Sequence, residues 1–217
     1  MLVSGTQMVI SLEIRDVHKY YGPRVVLDGI NFSASSGCTV IIGPNGSGKS
    51  TLLRIIAGLV SPSDGNVVFS EGGVELPSAA RRDIIGLVAP EVALYNDLSA
   101  LENLQFFARV RGLSLPEIEL TGLLAYLGLE GREHDRLGSY SSGMRQRAKY
   151  AVALLHKPPV LLLDEPSTNL DDSGIAVAER VIEHQRQTGL VIIATNQATE
   201  VELGDQIIRL ESWQHEI

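Results

Sequence analysis

Residues Gly43 to Ser50 have the sequence Gly-Pro-Asn-Gly-Ser-Gly-Lys-Ser, which matches the pattern G-x-x-x-x-G-K-[ST]. The match follows a short apolar run at 39–42 and precedes a stretch at 50–59 that has the pattern of a helix. Strand, glycine-rich turn and helix in this order are the context that a phosphate-binding loop requires. The glycines let backbone N–H groups point at a phosphate, and the helix N-terminus adds a positive dipole. We expect Lys49 to reach the β- and γ-phosphates of a nucleotide and the Ser50 hydroxyl to bind Mg²⁺.

A second motif, Val160-Leu-Leu-Leu-Asp164-Glu165, is an apolar run that ends in two carboxylates. Such a run is typical of a strand buried on both faces of a parallel sheet. Alone, an Asp-Glu pair is more often a solvated strand end. Together with the phosphate loop it predicts that Asp164 holds Mg²⁺, through water, and that Glu165 polarises the attacking water as a general base.

The rest of the chain alternates between patterns of strands and helices. Strands are predicted at 10–14, 25–32, 39–42, 67–74 (a hairpin), 84–88, 160–163, 190–194 and 206–210, and helices at 50–59, 99–111, 116–127, 142–155 and 172–187. Ser99 and Glu102 form a capping box. The apolar face of the helix after Pro116 is predicted to contain Ile118, Leu120, Leu123, Leu124 and Leu127. This order predicts an α/β sheet domain with a helical insert at about 89–144.

Composition excludes several classes of protein. The chain has 217 residues, a net charge of −8 and 20% charged residues, which is typical of a globular protein and argues against a nucleic-acid partner. The single cysteine, Cys38, excludes an internal disulfide. The longest aliphatic runs are far shorter than the ~20 residues of a membrane helix, so we expect no direct membrane insertion. The N-terminus has no basic region, and we expect no signal peptide.

The segment Tyr140-Ser-Ser-Gly-Met144, followed by Arg145-Gln-Arg147, resembles the signature sequence of ATP-binding cassette (ABC) ATPases. It opens a predicted helix, and Gly143 lies 21 residues before Asp164. The usual form is Leu-Ser-Gly-Gly-Gln, so only Ser141 and Gly143 match strictly. Alone, the segment would be an ordinary helix N-cap. In the family it is a second anion site, for the γ-phosphate held by another subunit.

Other family motifs follow in order. Tyr21, in Tyr-Tyr-Gly, resembles the aromatic residue that stacks on adenine, although such a residue at a strand end can also simply pack. Ser167-Thr-Asn-Leu-Asp171 resembles the loop that touches the opposing subunit. The resemblance implies two subunits packed head to tail around two ATP molecules. The residues that it assigns to the nucleotide are Tyr21, Gly43, Asn45, Gly46, Ser47, Gly48, Lys49, Ser50, Thr51, Ser141, Ser142 and Gly143, with Ser50 and Asp164 as ligands of Mg²⁺.

The fold that the resemblance implies is α/β, a P-loop NTPase core of the RecA-like type with an N-terminal antiparallel β subdomain and an α-helical insert. One ABC ATPase domain would then cover 1–217. Its core and β subdomain are predicted at 8–88 and 145–217, and its α-helical subdomain at 89–144.

Two positions depart from the family pattern. The loop at 85–91 contains no glutamine, where the family normally offers one to Mg²⁺ and the attacking water. Ungapped counting places Pro90 there and a shift of one residue places Glu91 there, either as a catalytic carboxylate or as a solvated loop residue. The switch histidine after the strand at 191–195 is replaced by Asn196, which can donate an amide hydrogen bond but cannot carry a proton. These departures predict ATP binding with slow hydrolysis.

A few further residues are interpreted as structural. Cys38 is expected to be a small apolar residue near the sheet. Arg145, Arg147 and Lys149 are interpreted as a solvated helix face, and Trp213 as local packing.

The resemblance favours the motor subunit of an ABC transporter, of the small bacterial exporter type. Its partners would be a transmembrane permease subunit and a second ATPase subunit, expected to be an identical copy. It would lie on the cytoplasmic face of the inner or plasma membrane, in the cytoplasm. Two alternatives stay open: a soluble ABC ATPase outside transport, and a degenerate cassette that binds ATP but hydrolyses it slowly. Cargo specificity would reside in the membrane subunit.

Overall fold

The computed structural model describes residues 10–211, which form two compact units. Among these residues the first unit takes in 10–85, 159–165 and 184–211, and the second takes in 86–158 and 166–183. The N-terminus on which the signal-peptide prediction rests, and Trp213, lie outside the described residues. The predicted subdomain boundaries stay a prediction.

The predicted strands and helices follow one another in the predicted order, and two short helices, at 81–84 and 198–201, were not predicted. The strands are β1 (Ile10–Tyr21), β2 (Arg24–Ala34), β3 (Gly37–Ile42), β4 (Asp64–Glu71), β5 (Val74–Glu75), β6 (Ile85–Val88), β7 (Val160–Asp164), β8 (Leu190–Thr195) and β9 (Gln206–Arg209). The helices are α1 (Lys49–Ile56), α2 (Arg81–Ile84), α3 (Ala100–Val110), α4 (Glu117–Tyr126), α5 (Ser142–Leu154), α6 (Asp172–Thr188) and α7 (Ala198–Val201).

The first unit contains an antiparallel sheet in the order β2-β1-β4-β5. In β1 the side chains of Ile10, Leu12 and Ile14 are buried, and the polar residues between them face outwards or are half-buried. Leu12 lies opposite Ala34 of β2 and Phe69 of β4, so the apolar side chains of the three strands share one face. The alternating pattern of the sequence therefore specifies the register of this sheet.

The first unit also contains a parallel sheet, in which β7, β8, β3 and β9 are neighbours in that order. Every residue of β7 and β8 is buried, as expected for strands covered on both faces. Helix α1 packs against β7 and β8. The carboxyl ends of parallel strands meet at one edge, and this is where ligands bind in open α/β sheets. The phosphate loop, Asp164 and Asn196 all lie at that edge.

Helix α1 is shorter than the predicted helix at 50–59. Gly58 has φ 76°, and its backbone N–H donates to Ile55 O at 3.0 Å, while Leu59 N–H donates to Arg54 O at 2.9 Å. A glycine in this left-handed conformation terminates a helix because no side chain opposes it. The predicted end at residue 59 was wrong for this reason.

Helices α3, α4 and α5 pack against one another in the second unit. The capping box at the start of α3 is confirmed: Ser99 Oγ accepts from Glu102 N–H at 3.2 Å, and Glu102 Oε2 accepts from Ser99 N–H at 2.7 Å. In α4, Leu120 and Leu124 are buried, but Ile118 is 76% exposed, so its predicted place on the apolar face was wrong. At about 100° per residue, Ile118 lies about 200° around the helix from Leu120.

Among residues 10–211, no helix is both long enough and apolar enough to cross a membrane.

Candidate nucleotide site

The phosphate loop connects β3 to α1 in the first unit. Gly48 precedes the first residue of α1, has φ 96° and makes no side-chain cap. A Cβ atom on Gly48 would lie 2.7 Å from Leu27 Cδ2 and 2.8 Å from Val26 O, closer than real Cβ atoms come. Gly46, with φ 85°, is also left-handed. Glycine is therefore required by conformation and by packing at Gly48, and by conformation at Gly46.

Lys49 is held inside this loop. Its Nζ donates to Gly43 O at 2.7 Å and to Pro44 O at 3.2 Å. Burial lowers the pKa of Lys49, and the negative charges of Glu165 and Asp164 oppose that shift. The ammonium group of Lys49 is thus hydrogen-bonded to neutral carbonyl oxygens. A phosphate is a stronger acceptor and can replace them.

Ser50 and Asp164 are brought together, as the sequence predicts. Ser50 Oγ donates to Asp164 Oδ1 at 3.1 Å, and Asp164 is 4% exposed at the end of β7. A hydroxyl and a carboxylate oxygen at one point are ligands of the hard type that Mg²⁺ prefers. In the part of the chain that the structure describes, the buried Ser47 hydroxyl has no hydrogen-bond partner. These residues fit a Mg²⁺–phosphate group.

Glu165 follows Asp164 in a strained conformation. Its φ is 49°, in the left-handed region that non-glycine residues rarely adopt, and its N–H donates to Ala194 O of β8 at 2.9 Å. The bond to β8 fixes the backbone at the sheet edge, and the residue lines the cavity described next. Strain of this kind is found where a side chain must be placed for function.

A cavity of about 270 Å³ adjoins the loop. Eight of its lining residues are predicted site residues: Tyr21, Asn45, Gly46, Gly48, Lys49, Ser50, Thr51 and Glu165. Tyr21 is 53% exposed, and Lys19 Nζ lies 4.9 Å from the centre of its ring. The cavity also contacts Arg24 and Val26, which the sequence motifs do not indicate. The signal for Arg24 was its place between the Tyr21 turn and the strand predicted at 25–32.

Asn196 contacts the phosphate loop through a side-chain pair that sequence reasoning missed. Its Nδ2 donates to Asn45 Oδ1 at 2.6 Å. The two residues are 151 positions apart, but β3 and β8 are parallel neighbours in which Ile42 lies opposite Thr195. The loop that follows each strand therefore starts at the same point of the edge.

The signature segment lies in the second unit, at the start of α5. Ser141 Oγ accepts from Met144 N–H at 3.2 Å, so Ser141 is the helix N-cap. Ser142 is exposed, and Gly143 is buried. A Cβ atom on Gly143 would lie 3.2 Å from Asn169 O, which places a close backbone approach between the signature and the 167–171 segment.

Glu91 is exposed and also lies in the second unit. Beside it, Lys149 Nζ donates to Ala89 O at 3.0 Å and to Pro90 O at 2.9 Å. Burial lowers the pKa of Lys149, and the charge of Glu91 opposes the shift. Lys149 therefore holds the backbone of the 85–91 loop in place.

The predicted solvated face of α5 was wrong at two of its three residues. Lys149 has the two bonds just described, and Arg147 Nη1 donates to Gly128 O at 2.8 Å. Both side chains are half-buried, whereas Arg145 is exposed as predicted. Carbonyl oxygens at the ends of loops and helices need donors, and these long cations supply them.

The fold and the loop geometry define a P-loop nucleotide-binding protein. Comparison with known families gives the particular class: residues 27–168 match the family model described as "ABC transporter". The match spans well over half of the chain, and this chain belongs to the ABC transporter family.

Among the similar proteins is the linearmycin resistance ATP-binding protein of Bacillus subtilis, 34% identical over 192 residues, which are 87% of this chain and 62% of that protein. The lantibiotic transport ATP-binding protein of Streptococcus pyogenes is 36% identical over 195 residues, 88% of this chain and 82% of that protein. The chain thus spans between three fifths and four fifths of the length of these relatives.

A bacterial ABC transporter cassette solved as a dimer has a similar structure, with a TM-score of 0.77 and 27% identity over 92% of this chain and 94% of that one. The predicted α/β fold, P-loop NTPase class and ABC family are confirmed. Members of this family bind nucleotide, and the chain is a nucleotide-binding protein of that kind.

Proposed function

We propose that this chain is the ATP-hydrolysing motor subunit of an ABC transporter. In this proposal two cassettes pack head to tail around two ATP molecules and drive a separate transmembrane permease. The observation that carries the proposal is the hydrogen bond of 3.1 Å from Ser50 to Asp164 beside the buried Lys49. It joins the phosphate loop to the strand end that bears Glu165, and so it supports a site for hydrolysis as well as binding.

In this site Lys49 would leave the carbonyls of Gly43 and Pro44 and bind the β- and γ-phosphates. Ser50 and Asp164 would hold Mg²⁺. When bound, the ion would neutralise part of the phosphate charge and so favour attack by water. The buried Ser47 hydroxyl would find its partner in a phosphate oxygen.

Glu165 would act as the general base. Its carboxylate would accept a proton from the water that attacks the γ-phosphate. Its strained backbone and its bond to Ala194 hold the residue at the wall of the cavity, in place before the substrate arrives. Preplacement of this kind removes the cost of ordering the base during the reaction.

Asn196 supports slow turnover. Its amide is already paired with Asn45, and an amide cannot gain the positive charge that a histidine can offer to a γ-phosphate. We also propose that Glu91 acts as a catalytic carboxylate in place of the missing glutamine. Steady-state turnover of wild type and Asn196→His, with the membrane partner present, tests it, and we expect the histidine variant to be faster. Equal rates in the two proteins contradict it.

The remaining contacts to ATP would come from a second copy. Ser141, Ser142 and Gly143 would face the γ-phosphate that the partner holds, at the N-terminus of α5. The dimeric cassette of similar structure supports this assembly.

Export is the direction that we propose, because one similar protein is named for resistance to linearmycin and another for lantibiotic transport. A resistance protein of this family would act by moving the compound out of the cell. The cassette would then lie at the cytoplasmic face of the membrane, against a permease.

A second candidate is a cassette that binds ATP and scarcely hydrolyses it, outside active transport. Asn196 and the missing glutamine at 85–91 favour this alternative. Turnover separates the two candidates: a rate that rises when the permease is added supports the motor, and a negligible rate with and without it supports the alternative.

The direct test uses Glu165→Gln, which keeps size and hydrogen bonding but cannot accept the proton. With ATP and Mg²⁺ we expect wild type to turn over, and the variant to lose turnover by about 10²–10³-fold. The variant should also accumulate as an ATP-bound dimer in sedimentation velocity. Lys49→Met is the control that should form no such dimer. Unchanged turnover in Glu165→Gln, or a dimer in Lys49→Met, contradicts the proposed site.

A further inference from the structure

The nucleotide cavity has one cation that no motif accounts for. Of its lining residues, Arg24, Lys49 and Glu165 carry charge. Lys49 is hydrogen-bonded to two carbonyls, and it has the charges of Glu165 and Asp164 nearby. Arg24 differs: within residues 10–211 its guanidinium has no hydrogen bond and no ion pair. An arginine side chain loses much conformational freedom when it is fixed, so an arginine placed at a cavity wall without a partner suggests a ligand that is anionic.

The position of Arg24 places it between two parts of the site. Arg24 is the first residue of β2, and it lies opposite Tyr21 at the closing end of the β1–β2 hairpin. Its Nη2 lies 4.0 Å from the point that a Cβ atom on Gly46 would occupy. The same hairpin end therefore presents an aromatic ring and a guanidinium to the cavity, with the guanidinium beside the middle of the phosphate loop.

This placement selects one part of the nucleotide. Backbone N–H groups of a loop of this type cradle the α- and β-phosphates. A guanidinium close to Gly46 is near that part of the phosphate chain, and its planar set of N–H donors matches two phosphate oxygens at once. Lys49, at the start of α1, is the cation placed for the β- and γ-phosphates. The two cations together would thus cover the whole triphosphate.

We propose that Arg24 is a nucleotide-binding residue that holds the α- and β-phosphates beside the phosphate loop. The proposal rests on the proposed function, since it needs a nucleotide in this cavity. It assigns to Arg24 a contact that ATP and ADP share. It also explains why the residue is left exposed and unpaired in the chain alone.

The test measures the affinity of ATP and ADP, each as a fluorescent derivative, for the wild type, Arg24→Gln, Arg24→Lys and the control Arg82→Gln. Arg82 is an exposed arginine of the same unit that does not line the cavity. We expect Arg24→Gln to weaken the binding of ATP and of ADP alike by about tenfold, the loss typical of a charged hydrogen bond. Arg24→Lys should fall between, because it keeps the charge but not the paired donors. Raising the salt concentration should narrow the gap between wild type and Arg24→Gln.

Each other outcome overturns the inference. Equal affinities of wild type and Arg24→Gln mean that Arg24 does not touch the nucleotide. A loss for ATP alone means a contact to the γ-phosphate instead. An equal loss in Arg82→Gln means that the effect is one of net charge. If the wild type itself binds neither nucleotide, the proposed function fails, and this result is distinct from the others. Thermal melting of each variant checks that it is folded.

Discussion

The first turns of helices α1 and α3 solve the same problem in opposite ways. Each helix begins with backbone N–H groups that have no partner within the helix. In α3, Ser99 and Glu102 satisfy them with a complete capping box. In α1, Gly48 supplies no side-chain cap and the first turn has no acidic residue. The N-terminus of α3 is capped by its own side chains, whereas the positive N-terminus of α1 can bind an external anion.

Helix α5 lies between these extremes. Ser141 caps it with one hydrogen bond, and no acidic residue follows in the first turn. This arrangement satisfies one N–H group while leaving the dipole without a negative charge. The comparison shows that the phosphate loop and the signature share composition but differ in how far their helix starts are satisfied.

The largest effect is expected from Lys49→Met, with Lys149→Met as its matched control. Both lysines donate to two backbone carbonyls, but only Lys49 lies at the start of an uncapped helix. Lys49→Met should weaken ATP binding by about 100-fold, because a charged contact to phosphate is lost.

Lys149→Met should leave the ATP affinity unchanged and lower the melting temperature, because Ala89 and Pro90 lose their donor. Calorimetric titration with ATP and a thermal melt of both variants give the two measurements. The distinction between the two lysines is contradicted if Lys149→Met weakens ATP binding as much as Lys49→Met does.

The second prediction concerns Gly48→Ala, with Gly122→Ala as its control. The new Cβ at Gly48 would be 2.7 Å from Leu27 Cδ2 and in a left-handed conformation. We expect a loss of about 2–4 kcal/mol in the free energy of unfolding, from overpacking and backbone strain.

Gly122 lies inside α4 with nothing within 4 Å of a Cβ atom. Alanine there should stabilise the protein by about 0.5–1 kcal/mol, because it restricts the unfolded chain and favours the helix. Urea unfolding curves of the two variants measure both effects. A Gly48→Ala variant as stable as wild type would show that the loop can relax around a side chain.

Sequence predicted the features that depend on local patterns. Alternation in β1, the aliphatic run of β7 and the capping box of α3 are each set by residues a few positions apart, and all are found. The phosphate-loop match also placed Ser50 beside Asp164, because the pattern carries its own strand and helix context.

What sequence missed depends on pairs that are distant in the chain. The Asn45–Asn196 bond needs the order of β3 and β8 in the sheet, and the place of Arg24 at the cavity needs the hairpin to fold against the loop. Lys149 was misassigned because its hydrogen-bond acceptor, Ala89 O, belongs to a residue 60 positions away in the sequence. No local pattern indicates that the two groups are close in space. Such contacts follow from topology, which a residue pattern encodes only indirectly.

A third, smaller effect is expected for Ser141→Ala. Removing the hydroxyl deprives Met144 N–H of its acceptor and should lower the free energy of unfolding by about 1 kcal/mol. Ser141→Asp is the control, since aspartate caps equally well but adds a negative charge where a phosphate is proposed to bind.

If the segment only caps the helix, Ser141→Asp keeps both stability and ATP turnover. If it also binds phosphate, Ser141→Asp keeps stability and loses turnover. Urea unfolding and steady-state ATPase rates, measured on the same preparations, separate these results. Full ATP turnover in both variants would mean that Ser141 only caps the helix and does not contact phosphate.

The smallest effect is expected for Glu102→Gln and appears only in acid. The pKa of Glu102 is lowered because its carboxylate accepts hydrogen bonds from the backbone and side chain of Ser99. A carboxylate with a lowered folded-state pKa contributes stability above its unfolded-state pKa and loses it as the pH falls through the folded-state value. As the pH falls, the unfolded chain binds the proton before the folded protein does. The stability of wild type should therefore fall as the pH drops below about 4.3, the ordinary pKa of glutamate.

Glutamine can still accept from Ser99 N–H but does not titrate, so Glu102→Gln should show a shallower fall in melting temperature between neutral pH and acid. Repeating the melts at high salt tests the cause, because hydrogen bonds to the backbone persist where surface charge effects are screened. Identical pH profiles of the two proteins would mean that the box of α3 is held by Ser99 alone. In that case α3 and α5 would have equivalent single-serine caps, and only α1 would stand apart.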